Sequence, residues 1–80
     1  LNYLVMNATK EIIVRDLAIM NGKPLIKGTR ITVELILKKL SEGATVEDLL
    51  KIYPQITSKQ IMAALDYAAN VISNEELLDV

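Results

Sequence analysis

The sequence holds no cysteine, histidine, phenylalanine or tryptophan, and only three glycines and two prolines. Without cysteine no disulfide framework can form, which fits a reducing cytoplasm. Without histidine or cysteine the chain lacks the commonest general base, the thiol nucleophile and the usual zinc ligands. Acids occur as sequence neighbours, Glu47 with Asp48 and Glu75 with Glu76. Neighbours on a helix do not face one another, so these pairs do not make two-carboxylate chemistry. They read instead as caps, dipole partners and solvating groups. No catalytic residue, metal ligand or cofactor is expected, and the chain reads as a binding module rather than an enzyme. Long apolar runs are missing as well. Residues 4–6 are far too few for a signal peptide or a membrane span, so a cytoplasmic protein without membrane contact is expected. The tyrosines at 3, 53 and 67 are too scattered to stack nucleobases. Tyr53 falls on an apolar helix face and reads as core with its hydroxyl at the rim.

What is present is aliphatic. Of 80 residues, 51% are apolar, generous for a length that suits one domain. A domain this small buries only about 60% of its unfolded surface. The apolar material therefore builds a tight core of Leu, Ile, Val and Ala, or part of it meets a partner. A homodimer is expected, since association commonly stabilises small domains. The net charge of −1 is unevenly spread. Residues 1–22 balance. Residues 23–60 hold seven basic and four acidic groups, a surplus of +3, and residues 61–80 hold four acids and no base. A basic middle suits phosphate and an acidic end suits a basic protein, although both also suit an ordinary solvated surface.

Period and punctuation divide the chain into a β-rich segment at 1–31, a three-helix core at 32–73 and a short acidic tail at 74–80. Residues 3–6 and 11–15 are β-like runs with a turn at 7–10 between them. Asn21-Gly22 signals a turn, Pro24 opens a short extended piece at 25–27, and residues 29–31 extend again after Gly28. Strands this short need neighbours, from this chain or from a second subunit. From Thr32 the period becomes helical. Val33, Ile36, Leu37 and Leu40 share one face, with Thr32 as cap and Gly43 as stop. Thr45 caps a second helix bearing Val46, Leu49, Leu50 and Tyr53, with Asp48 completing a weak box, and Pro54 ends it. Thr57 caps a third helix, with Gln60 as its box partner and Ile61, Ala64, Leu65, Ala68, Val71 and Ile72 as its apolar face. Ser73 and Glu76 form another such pair, so a short terminal helix or a fraying tail is expected after 73.

The expected fold is therefore mainly α with short N-terminal β-strands and a three-helix, helix-turn-helix core of the homeodomain or winged-helix kind. Two helices joined by a turn at 54–56 have helix-turn-helix lengths. In that arrangement Ser58, Lys59, Gln60 and Ala63 face the major groove, where Gln pairs with adenine and Lys with guanine or phosphate. Lys38, Lys39 and Lys51 would hold backbone phosphates. A plain three-helix bundle has the same pattern. The run from Gly22 to Arg30 is not a phosphate loop: five residues separate its glycines and no lysine follows Gly28. Its glycines permit tight turns, and Thr29 and Arg30 are expected to fix the corner into the first helix by hydrogen bonds. Ala63, Ala64, Ala68 and Ala69 permit close helix approach, in the core or at a dimer seam.

Together these residues resemble the domain of unknown function 433 family. The likeness begins with Ile13-Val14-Arg15-Asp16 and Ile19-Met20-Asn21-Gly22-Lys23-Pro24. It continues through Ile26-Lys27-Gly28-Thr29-Arg30-Ile31, Val46-Glu47-Asp48-Leu49-Leu50, Tyr53-Pro54, Ile56-Thr57 and Tyr67-Ala68. It spans about residues 11–69. Gly22, Lys23, Pro24, Gly28, Thr29 and Arg30 are its specific part, and the helix faces alone are generic. The resemblance implies a dimeric helix-turn-helix domain and a VapB-like antitoxin of a prokaryotic toxin–antitoxin pair. Such a protein binds a PIN-like ribonuclease toxin and its own operator DNA. Only residues 73–80 follow the third helix, so toxin contact is expected on the folded body, the acidic tail or residues upstream of Leu1. The alternative is a protein-interaction module or structural dimer that binds no DNA.

Overall fold

Residues 12–79 are described by the computed structural model, and they run strand, turn, strand and then three helices. The expected strand at 3–6 and the turn at 7–10 lie outside the described residues. The elements are β1 (Ile13–Val14), β2 (Leu25–Ile26), α1 (Val33–Ser41), α2 (Val46–Ile52) and α3 (Ser58–Asp79). The two strands pair with each other, antiparallel, Ile13 opposite Ile26 and Val14 opposite Leu25.

The link between the strands is a loop held by its own polar atoms. Asp16 Oδ1 accepts from the Ala18 N–H at 2.9 Å, and Arg15 Nε donates to the Gly22 carbonyl at 2.8 Å. Met20, Asn21 and Gly22 all have left-handed backbone, with φ of 51°, 57° and 79°. Gly22 is there for two reasons. Its φ suits glycine, and a Cβ would stand 3.0 Å from Cδ2 of Leu17.

After β2 the chain does not extend again at 29–31. It turns, because Thr29 Oγ1 donates to the Ile26 carbonyl at 2.8 Å and accepts from the Ile31 N–H at 3.0 Å. The side chain holds the turn, as threonine commonly does, and brings the chain back onto β2, where Ile26 N–H donates to the Ile31 carbonyl at 2.9 Å and Leu25 bridges Thr32 antiparallel. Arg30, expected to share this work, is exposed and makes no hydrogen bond among the described residues. Val33 N–H to the Pro24 carbonyl at 2.9 Å closes the corner instead.

Each helix begins on a threonine. Thr32 Oγ1 accepts from Leu35 N–H at 3.0 Å. Thr45 and Asp48 make a full reciprocal box, stronger than the sequence suggested, with 3.1 and 2.9 Å bonds. Thr57 N–H donates to Gln60 Oε1 at 2.8 Å, and Gln60 N–H returns to Thr57 Oγ1 at 3.3 Å. Gly43, at φ 103°, ends α1 as expected. Gly43 N–H donates to Leu40 and Ala44 N–H to Lys39, which satisfies two of the last carbonyls in a Schellman arrangement. Pro54 ends α2, and Ile56 N–H to the Tyr53 carbonyl at 3.1 Å closes the elbow.

α3 runs unbroken for 22 residues, and the expected boundary near 73 is absent. No glycine or proline interrupts it. A box pair such as Ser73 and Glu76 starts a helix only where the chain has first left one. The acidic tail is thus helical to Asp79. α3 packs against α1, α2, β1 and β2, so it joins the sheet to the other helices. The core is aliphatic: Ile13, Ile26, Ile31, Val33, Ile36, Leu49, Ile56, Ile61 and Ala64 form one buried cluster. No helix among the described residues is long and apolar enough to cross a membrane.

Two outcomes follow from the turns and caps. Gly28 also has positive φ, at 81°, but open space where a Cβ would stand. Gly28→Ala is expected to cost about 1 kcal/mol from backbone strain alone, and Gly22→Ala more, because Leu17 must also move. Urea melts of the two variants check the order, and equal losses count against it. Hydrogen bonds from Thr45, backbone first and then side chain, and the nearby Lys51 ammonium hold the Asp48 carboxyl below its ordinary value. Its contribution is therefore complete above the unfolded carboxylate range, about pH 3.9, and is lost as pH falls through the lower folded value. The gap in melting temperature between wild type and Asp48→Asn should be widest at neutral pH and close toward pH 2.5. A gap of constant width would contradict the cap's role.

Candidate functional site

Three surfaces carry the residues singled out from the sequence, and they differ in chemistry. The first is an apolar groove between α1 and α3. Val33 and Leu37 line it from α1, Tyr67, Ala68 and Val71 from α3, and Pro24 closes one end, around a cavity of about 500 Å³. Ala68 is small, which deepens the groove. Glu34, Lys38 and Ser41 form its polar rim. Glu34 is paired with Lys23 at 2.9 Å, an exposed bridge that contributes little energy but tethers the loop before β2 to α1. The outer wall belongs to Val71 and Ile72, which are 38% and 54% exposed. Both were expected on the core face. They share that face, but α1 stops at Ser41 and leaves Val71 and Ile72 uncovered.

The second surface is the helix-turn-helix. Ser58 and Lys59 are exposed in the first turn of α3, as required of groove-facing residues. Ala63 is half-buried against the core. Gln60 is half-buried too, and its Oε1 is engaged by the Thr57 N–H. Paired recognition of adenine needs the oxygen and the nitrogen of one amide. In this conformer Gln60 Oε1 serves the cap, so reading adenine would share that oxygen with the Thr57 N–H or release it. Lys39 and Lys51 come together on one shallow cleft, alongside the acids Glu42 and Asp48. Lys38, its neighbour in sequence, lines the apolar groove instead. The lysines chosen as phosphate contacts are thus divided between two surfaces.

The third surface surrounds the turn after β2. Arg15, Asp16, Lys27, Gly28 and Arg30 line an open cavity of about 710 Å³ at the ends of the two strands. Gly22, Lys23, Pro24 and Thr29 act structurally, through the loop carbonyl, the ion pair, the corner bond and the turn already described. Among the described residues no three of His, Cys, Asp or Glu gather as metal ligands.

Sequence reasoning did not find the groove. Its signal was present in the alternation of Val33 and Leu37 on α1, and of Ala64, Ala68 and Val71 on α3. Periodicity shows that a face is apolar, but not whether a neighbour is long enough to cover it.

A family model described as protein of unknown function, DUF433, matches residues 13–68. The match takes in both strands, α1, α2 and half of α3, and stops before Val71. A protein of Sinorhizobium fredii, the uncharacterized protein y4eO, is 31% identical over 61 residues, which is 76% of this chain. This chain spans only 28% of that relative's length. The crystal structure of a DUF433 member from Anabaena variabilis is similar at a TM-score of 0.73 and 29% identity, covering 98% of this chain and 72% of that one.

The two parts of Gln60 can be separated by mutation. Gln60→Glu keeps an N3 acceptor and is expected to hold stability within about 0.5 kcal/mol of wild type, whereas Gln60→Ala loses on the order of 1 kcal/mol. Thermal melts distinguish them, and an Ala variant as stable as wild type would remove the cap from the account.

Proposed function

We propose that this chain, which belongs to the DUF433 family, is a protein-binding module of the antitoxin kind whose groove between α1 and α3 receives an apolar helix of a ribonuclease partner. The observation that carries the reading is the groove itself. Val71 and Ile72 stand exposed beside Leu37, Tyr67 and Ala68, so that exposed and half-buried apolar side chains adjoin along one concave surface, whereas the exposed Leu17 and Ile52 lie outside it. An apolar, concave surface with a polar rim suits an amphipathic helix. Charge supports the same partner class. Glu75, Glu76 and Asp79 continue α3 beyond the groove, and an acidic approach steers a basic protein toward it. The PIN-like ribonuclease comes from the family resemblance, and the cytoplasm of a prokaryotic cell is where such a pair would act.

The first helical turn of α3 favours a second reading, operator DNA. Ser58 and Lys59 are both exposed there, after a proline-bearing elbow and a closed cap. A homodimer would set two such turns about 34 Å apart on a pseudo-palindrome. Against it, Asp66 lies on the same helix and Lys59 is its only base.

Co-expression with the product of the adjacent reading frame, expected to be a PIN-like ribonuclease, tests the first reading. The pair should co-purify, and the ribonuclease should be inhibited. Ile72→Glu should weaken the complex at least tenfold with the melting temperature unchanged, because Ile72 is mostly solvent-exposed already. A neighbour that is neither bound nor inhibited rejects the reading. Sedimentation of the chain alone, before and after the same substitution, shows whether a second copy occupies the groove instead. For the DNA reading, promoter DNA should be shifted at low salt and Lys59→Ala should weaken the shift. Affinity indifferent to sequence removes the operator.

A further inference from the structure

The cavity at the strand ends has a chemistry unlike the rest of the surface. Arg15 enters it from the end of β1, and Lys27 and Arg30 from the two sides of the turn after β2. One acid, Asp16, lines it with them, and its Oδ1 already accepts from the Ala18 N–H. The lining therefore carries a formal surplus of two positive charges. None of these cations has an ion-pair partner among the described residues, where the bridge is Lys23 to Glu34, on the other side of the corner.

One of its cations, and the turn that carries the other two, are held in place before any ligand arrives. Arg15 Nε is tied to the Gly22 carbonyl at 2.8 Å, which fixes the guanidinium while leaving its outer nitrogens as donors. Thr29 Oγ1 locks the turn in both directions, as donor to Ile26 and acceptor from Ile31. Gly28, between the two other cations, has nothing within 4 Å of the place a Cβ would occupy. A ligand can therefore come close to the backbone at that point.

We propose that Arg15, Lys27 and Arg30 form a binding site for a phosphate group. Two guanidiniums offer planar, paired donors that match phosphate oxygens, and the lysine adds a compact charge. The open glycine admits the group between them. Free phosphate and the phosphodiester of a nucleic-acid backbone share this chemistry, and the cavity is wide enough for either. The assignment is independent of the groove and of α3, since it shares no residue with them.

Two probes test it on the full chain. Inorganic phosphate added to isotopically labelled protein should shift the amide signals of residues 27–30 and the Nε–H signal of Arg15, and chloride at equal ionic strength should not. A random-sequence DNA duplex should bind with a salt dependence that falls by about two log units per log unit in Lys27→Gln/Arg30→Gln, one for each lost contact. Both residues are exposed and unpaired, so this variant should melt like wild type. Phosphate binding without duplex binding identifies a free phosphate ligand. Duplex binding with the reduced slope identifies a nucleic-acid backbone. No shift with phosphate and no change of slope overturns the site. Duplex binding that responds to Lys59→Ala alone also counts against it as a nucleic-acid contact.

Discussion

The burial of one face of α3 is the constraint on which everything else rests. Ile61 and Ala64 have no exposed surface, and the helix that carries them touches the sheet as well as both other helices. Burying an aliphatic side chain of this size stabilises by about 1.5–3 kcal/mol. Five such side chains are fully enclosed: Leu25, Ile26, Ile36, Leu49 and Ile61. A small domain holds a margin of only about 5–15 kcal/mol, so no one of these can be lost lightly. Two strands of two residues each are too short to persist alone. They are held because Ile13 and Ile26 close the same cluster that Ile61 enters from above.

The helices were legible because two independent signals agreed on each. An apolar stripe gave the face, and Thr32, Thr45 and Thr57 gave the starts, each by a side-chain oxygen that meets a free N–H. Gly43 and Pro54 gave two of the ends for backbone reasons that hold in any context. The end of α3 was not legible, since Ser73 and Glu76 have the spacing of a cap without the break that makes one. The strand expected at 29–31 failed for a related reason. β-propensity there competes with a threonine hydroxyl that finds two backbone partners at once, so the chain turns first and rejoins β2 only from Ile31, as a single bridge.

Site residues were less legible than elements, because one side chain can serve two roles that compete for the same atom. Gln60 has a single amide oxygen, and the cap uses it. Arg30 and Arg15 exchanged places for the opposite reason. Both are arginines near the corner, but only Arg15 has a carbonyl within reach, on the loop that Gly22 bends by its positive φ. The turn is set by backbone conformations that a sequence only hints at through Asn21-Gly22. The groove depended on lengths, nine residues in α1 against twenty-two in α3, and no local pattern encodes that difference.

The long helix also limits how the surfaces can influence one another. Lys59 and Ile72 sit on the same rigid element, thirteen positions apart, or roughly 20 Å along its axis. A partner in the groove therefore leaves the first turn of α3 open to solvent. A bound helix would need a differential contact with two states of the protein to alter what the first turn does. An uninterrupted, capped helix whose first turns are packed through Ile61 and Ala64 shows a single state there. A change inside one copy is therefore a poor carrier of coupling between the groove and the first turn.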